Sequence, residues 1–537
     1  MTYRRPLRWV ELLDDLTSVE FLLAVRFAGR DFYFSTRPCV LLDGAGEPIQ
    51  FDGGLDVSWT DALDFLNESP TLLAVPLALF FPVDVAALVA DGHDLWRGTG
   101  ELSLWVEGRP YEDRVVLVSG SMVSPSYGGV GEPVKFSLEA NGFQDTHLTH
   151  DQNDRVKPTT WPNADPAAAL AYYPLVFGTP GFSATGLSVP GSPALAVDLD
   201  TLAGTVRFLV AGHPVEAQTV TLTNVTKDPP VSLLVSVSED VDQKNKVVTV
   251  SPVVPVGGGF FDPGDEVWVT WDNGGGMLND RQTAARTGAG EVTDFFLRLS
   301  SLSIDTGAWR TLSPELNQDY HLSGYVNDAV KPWAWVSDNI LPLLPVSVYA
   351  TGGGLSVSLW RRSAKKDDAV GTIEAVGGVG RVGPVQYEDQ SIANNIRLDY
   401  GLDASAREYQ RTAGVIGNPN PITDDTGIFS TEYSRASFLR YGTQTAALST
   451  DIVTDTATAG VILQWMHRAR SMPYRVLHYT VPIRMGFLVR GDVILLTDRE
   501  LFLENYLCFV RDISWTNGQP AVSLVLVDNP PQENRLD

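Results

Sequence analysis

Four short stretches of this sequence carry residue types at spacings that chemistry uses. In the segment NGFQDTHLTHDQND, His147, His150 and Asp151 would ligate a metal if both imidazoles faced one way. No helix pattern fixes them, and no fourth ligand follows at a recognised spacing, so the segment reads as a solvated turn. Gly378, Gly380 and Gly383 satisfy GxGxxG. A dinucleotide site needs that loop to open a helix whose N-terminus meets a pyrophosphate, and Pro384 followed by VQYEDQ opens none, so a β connection is expected. Ser363 and Lys366 satisfy SxxK, but RRSAKKDD is a charged connector and not a buried helix start. Trp268, Trp271 and Asp272 suggest a sugar platform beside an acid, although tryptophans on strands more often belong to a core or an interface. The sequence therefore assigns no catalytic, cofactor-binding or metal-ligating residue. No cofactor and no enzymatic activity are expected.

The elements around these residues are mostly strands. The chain has 48 Gly and 34 Pro among 537 residues, punctuating short β-branched runs. Strands are predicted at Phe21–Phe27, Leu102–Val106, Val115–Val118 and Val134–Leu138, with a short helix at Val83–Ala90 stopped by Asp91-Gly92. From Asp165 a short helix or linker leads into a fresh strand, and to about Asp272 the strands are close together, as in TVRFLVAG, QTVTLTNVT and EVWVTW. A helix returns at Glu291–Leu302, where Val292, Phe295, Phe296, Leu299 and Leu302 form one stripe. A second runs from an Asp455 cap to Arg470 and is stopped by Pro473. Four strands follow: Arg475–Pro482, Val493–Thr497, Tyr506–Asp512 and Ala521–Val527.

Length and composition bound the class. The chain is too long for one core, so several domains are expected. No apolar run is long enough to span a bilayer, and the basic start (Arg4, Arg5, Arg8) is followed by Asp14 and Asp15 rather than a signal-peptide core. Synthesis and folding in a cytoplasm are expected. Cys39 and Cys508 read as buried free thiols, and a four-cysteine metal site is excluded within one chain. With 65 acidic against 39 basic residues the formal net charge is −26, which disfavours a protein that grips nucleic acid by its phosphates. By composition alone the excess reads as a solubilising surface.

The order of these elements resembles a known family. SRASFLRYG (Ser434–Gly442), the helix opening DTATAGVILQW, the strand YTVPIRM and the turn LVRGDVILLTD resemble the C-terminal part of phage tail hub proteins. GELSLWVEGRPYEDRVVLVSG followed by GEPVKFSLEA looks like the first hub domain, and Leu322–Trp360 like the opening of its third. The resemblance implies a mainly β fold with a few helices, in several domains. Residues 1–170 would be hub domain I, a tube-like β domain; 171–280 an inserted all-β barrel; 281–474 a return helix and the second tube-like domain; and 475–537 a small C-terminal β barrel. It further implies a homotrimer in the virion tail, at its tip or baseplate, assembled in the host cytoplasm. Implied partners are the tail tube or distal tail protein, the end of the tape-measure protein and a spike or fibre. Genomic DNA would pass through the channel without specific binding. The alternative class is a β-rich carbohydrate-binding or cell-wall-degrading protein, which shares the strand and Trp content.

Overall fold

The computed structural model describes residues 18–526 apart from 28–29, 63–73, 82–84, 91, 93–94, 96–97, 129–130, 141–144, 185–186, 201–204, 240–247, 251–258, 272–273, 282–283, 352–353, 360–365, 376–379, 389–391, 417–431, 487 and 517–518. The readings on Arg4, Arg5, Arg8, Asp14, Asp15, Asp272, Ser363 and Gly378 lie outside these residues.

β1 (Val19–Phe27) is buried at almost every position because its two faces meet different cores. Phe21, Leu23, Val25 and Phe27 enter the main core, whereas Leu22 faces a smaller cluster with Leu41, Phe51 and Trp105. Around it lie β2 (Arg30–Ser35), β3 (Cys39–Leu42), β4 (Pro48–Gly53), β5 (Leu55–Ala62), β6 (Ala74–Leu79), a short helix α1 (Val85–Ala90), β7 (Gly98–Val106), β8 (Val115–Ser126) and β9 (Val134–Ala140). They hydrogen-bond in the order β5-β6-β9-β8-β7-β1-β2-β4-β3. Close packing fixes Gly98, since a Cβ there would sit 2.3 Å from the Phe27 ring.

The next segment leaves this sheet. β10 (Leu175–Phe177) is followed by the hairpin of β11 (Phe182–Ala184) and β12 (Leu187–Val189). Then β13 (Ser192–Asp200), β14 (Thr205–Ala211), β15 (Thr219–Asn224), β16 (Val231–Glu239), β17 (Val248–Val250) and β18 (Val267–Thr270) close a barrel in the order β13-β14-β17-β16-β15-β18. Closure removes the sheet edges that short strands would otherwise expose. Phe208, Val220, Leu222, Phe261, Val269 and Trp271 fill the interior.

A helical layer follows. α2 (Ala289–Leu299) carries the expected stripe, with Val292 and Phe296 buried and Phe295 and Leu299 packed partly against the same core. α3 (Thr306–Asp319), β19 (Gly324–Val326), α4 (Pro332–Asn339) and the hairpin of β20 (Val346–Thr351) with β21 (Gly354–Leu359) complete this part. β22 (Gly371–Glu374), β23 (Gly380–Arg381) and β24 (Gln386–Glu388) lead to β25 (Asn395–Asp403) and β26 (Glu408–Ile416). SRASFLRYG lies in α5 (Glu432–Tyr441), and Gly442 takes the left-handed conformation that ends it, with φ 67°. β27 (Thr445–Ser449) pairs parallel to β25. α6 (Thr456–Arg470) starts where Asp455 accepts a hydrogen bond from the Thr458 N–H at 2.8 Å, as its sequence predicts.

The last strands return to the first sheet. β28 (Tyr474–Thr480), β29 (Val493–Asp498), β30 (Leu503–Thr516) and β31 (Gln519–Leu526) match the four expected strands, with β30 longer than predicted. Its extra length serves two partners: Leu503–Phe509 pairs with β29, and Asp512–Thr516 pairs with β5. A register shift against β31 between Val510 and Asp512 marks the crossover. One core therefore runs from Phe21 through Phe136 to Leu477, Ile494, Trp515 and Leu524. The chain is mainly β with a few helices, in several domains. Among the described residues no helix is long and apolar enough to cross a membrane.

Candidate assembly junction

The histidine segment is a solvated turn only in part. His150 is 3% exposed, and its ring nitrogens face two backbone carbonyls, Nε2 to Tyr173 O at 2.8 Å and Nδ1 to Asp328 O at 3.0 Å. His147 faces elsewhere, with Nδ1 3.3 Å from Leu299 O. The two imidazoles thus do not converge on a metal, and no cluster of three or more ligating side chains occurs among the described residues. The expectation fails at His150, which partners far away in sequence bury, whereas His147 and Asp151 stay exposed as a solvated turn requires.

Those partners make Asp145–Asp154 a strap across three parts of the chain. Asp145, 6% exposed, accepts from the backbone N–H groups of Ser301 (3.1 Å) and Trp333 (3.0 Å), tying the end of α2 to the start of α4. Pro332 opens α4 without a side-chain cap of its own, so Asp145 satisfies a first-turn donor from outside the helix. Thr149 adds a reciprocal pair with Val330, its N–H donating to Val330 O at 2.9 Å and its Oγ1 accepting the Val330 N–H at 3.2 Å, and its hydroxyl donates to Asp328 O at 2.9 Å. On its far side, Asp154 O accepts from the Tyr173 N–H at 2.9 Å, where the chain enters the barrel. Burial holds the His150 imidazolium below its ordinary pKa, opposed by hydrogen bonds to Tyr173 and Asp328 and by the charges of Asp154 and Asp328.

The barrel meets the helical part at a second place, a cleft of about 150 Å³ lined by Pro180, Gly181, Gly191, Tyr325, Leu402 and Asp451. Asp451 accepts the Tyr409 hydroxyl at 2.6 Å. Desolvation, then the Asp451 charge, push the Tyr325 phenol upward.

The other sequence candidates resolve as framework. Trp271 is fully buried and donates Nε1–H to Ser192 Oγ at 2.8 Å, while Trp268 lies edge-on to Tyr325, with centroids 6.4 Å apart. They build no open sugar platform. Gly380 starts β23, Gly383 takes a positive-φ turn (83°), and β24 follows, so no helix opens there to receive a phosphate. Lys366 sits in a short turn, Lys366–Asp368, and is exposed. Cys508 is a buried thiol in no disulfide, as expected; Cys39 is also in no disulfide but is half-exposed on β3, at the end of the described sheet.

Residues that the sequence did not nominate carry the C-terminal turn. Asp498, 2% exposed, accepts the Tyr479 hydroxyl at 2.7 Å and the Glu500 N–H at 3.0 Å, and lies 3.4 Å from the Arg381 guanidinium. Desolvation and then Asp498 push the Tyr479 phenol well above its ordinary range. Two apolar sheet ends are also exposed. β3 shows Val40 (64%) and Leu42 (59%), and the β23–β24 end shows Val382 (51%) and Tyr387 (66%).

No family model and no curated protein matches the chain. Among solved structures it is similar to the 43 kDa tail protein of prophage MuSo2 from Shewanella oneidensis, at 10% identity over 94% of this chain and 98% of that one, with a TM-score of 0.36. It is similar to the tail protein from Neisseria meningitidis MC58 at 9% identity over 94% and 96%, also with a TM-score of 0.36. The prophage tail protein gp18 from Listeria monocytogenes EGD-e follows at 9% identity over 96% of each chain, with a TM-score of 0.32. All three of these structures are of tail proteins, two of them from prophages.

Proposed function

We propose that this chain is a structural protein of a phage tail, and more narrowly the trimeric hub at the tail tip or baseplate. In that reading residues 1–170 and 281–474 contribute the two tube-like β domains and 171–280 the inserted barrel, while the strands of 475–537, expected as a small separate barrel, join the sheet and core of residues 1–170. Three copies then meet the sixfold tail tube on one side and a threefold spike or fibre on the other. The protein does no chemistry; it surrounds the channel through which the genome leaves.

The observation that carries this reading beyond the sequence resemblance is the unfinished sheet. Among the described residues its path ends at β3 on one side and at β23 and β24 on the other, and both ends expose large apolar side chains. An apolar edge with free N–H and C=O groups recruits another strand, so a chain with one at each end is suited to a closed ring of copies. The net charge of −26 suits a passage that does not retain DNA.

Negative-stain imaging with light scattering of the purified chain tests it. A threefold particle with a central opening is expected. A chain that stays monomeric at high concentration, or a sixfold ring of this chain within tails, overturns the reading.

A further inference from the structure

Two imidazoles hold the two ends of one short segment, with different proton demands. At its start, His150 Nε2 meets Tyr173 O at 2.8 Å. At its end, the Val176 N–H donates to His213 Nε2 at 2.8 Å, and His213 turns its other nitrogen to Pro214 O at 3.0 Å. Between them, Gly212 N–H donates to Pro174 O at 2.9 Å. The segment Tyr173–Val176 is thus clasped from the strap side by His150 and from the barrel side by the turn after β14.

The ring of His213 has one arrangement that satisfies all its partners: Nδ1–H donating to Pro214 O, and a bare Nε2 accepting from Val176. A second proton would place N–H against N–H, so the bond to Val176 cannot survive it. His150 tolerates either state. When it is neutral, Nε2–H serves Tyr173 O and the Thr149 hydroxyl, 3.0 Å away, turns from Asp328 O to donate to Nδ1. When it is charged, Nδ1–H serves Asp328 O directly.

We propose that His213 is the proton-sensitive half of this clasp, and that acid frees β10 from the barrel while the barrel and the helical part each stay folded. Val176 is the point of leverage: its N–H holds the barrel turn, its carbonyl accepts from Met277 N at 2.8 Å, and it pairs with Tyr325 of β19. Losing the His213 bond therefore loosens the chain where it passes into the barrel.

The charged and titratable surroundings are few. His150 acts on His213 and opposes its protonation; Asp154 and Asp328 act on His150, and Asp154 also on the Tyr173 phenol. Tyr325 lies across β10, and Glu216 on the His213 turn is engaged by the Gly275 and Ala285 N–H groups at 3.2 and 3.1 Å. Burial pushes the His213 pKa down to about 4 even though an edge of the residue stays accessible. The sign follows. A released His213 regains an ordinary value near 6.5 and binds protons more readily than the clasped one. The clasp is at full strength above about pH 6.5 and weakens as the pH falls toward 4.

This inference stands apart from the tail reading. Its test is hydrogen exchange of peptides covering Tyr173–Phe177 in the full chain at pH 7.5 and 4.5, corrected for intrinsic rates. A rise in opening of about tenfold or more is expected in acid, confined to this segment. His213→Gln keeps an acceptor without a titrating ring and should flatten the response. An acid response of equal size in that variant, or a rise spread evenly over the chain, overturns the proposal. Should the variant misfold, labelled-histidine NMR of the wild type decides: a His213 titration at or above 6.5 overturns it, and one well below supports it.

Discussion

The carboxylate of Asp145 receives the Trp333 N–H at 3.0 Å, so a residue on an early loop caps a helix that begins 187 positions later, at Pro332. Its other oxygen takes the Ser301 N–H, and one buried side chain thereby fixes the strap, the end of α2 and the start of α4. Asp145→Ala would remove the acceptor of three backbone donors, those of His147, Ser301 and Trp333, in a largely buried place. A loss of about 2–4 kcal/mol is expected, measured by urea unfolding of the full chain. Asp145→Asn, which keeps one acceptor, should cost less, and equal losses would show that the carboxylate is not the cap.

Trp465 on α6 is half-buried and donates Nε1–H to Leu343 O at 2.8 Å, linking the helix to the turn after α4. Trp465→Ala should cost roughly 3 kcal/mol through lost packing and an unpaired carbonyl. Trp465→Phe should recover most of the packing and none of the hydrogen bond. Thermal unfolding that is unchanged in the alanine variant would contradict the contact.

Asp265 sits where the barrel wall meets its connecting loops. Burial by itself would raise its pKa, but the Asp262 N–H, the Asn224 amide and Lys227 outweigh burial and hold it below the ordinary carboxylate value. A depressed folded pKa means the stabilisation is complete above about pH 4 and is lost as the pH falls through the lower folded value. Asp265→Asn should therefore destabilise the protein at pH 7 and leave it close to wild type in strong acid. A difference that persists unchanged down to pH 2 would show that charge is not the cause.

The sheet ends make a further prediction. Replacing Val40 and Leu42, exposed on β3, by Lys should leave the monomer's unfolding within about 0.5 kcal/mol of wild type, because neither side chain is buried. Self-association should fall sharply, since a charged edge resists strand addition. Sedimentation velocity across a concentration series reads both outcomes, and association equal to wild type would remove β3 from the contact.

Local chemistry made some elements readable in advance. Asp455, the apolar stripe ending at Ala469 and Pro473 lie within one segment, and α6 begins and ends where they place it. The four C-terminal strands were readable for the same reason, each bounded by its own turn residues. His150 was not readable, because its burial depends on Tyr173 and Asp328, and the second of these is 178 positions away. Cys39 was misjudged because an edge strand and an interior strand have the same local sequence pattern.

The sequence by itself determined the β-rich class, the main helices and the acidic balance. Those properties depend on neighbours a few positions apart, which propensity and periodicity report. Only the tertiary structure decided that β30 divides its length between β29 and β5, that the barrel closes, and that one strap joins three parts of the chain. Each of these is a pairing of backbone groups far apart in sequence. Such groups have no side-chain signature, and their partners are chosen by which surfaces the whole chain leaves to be buried.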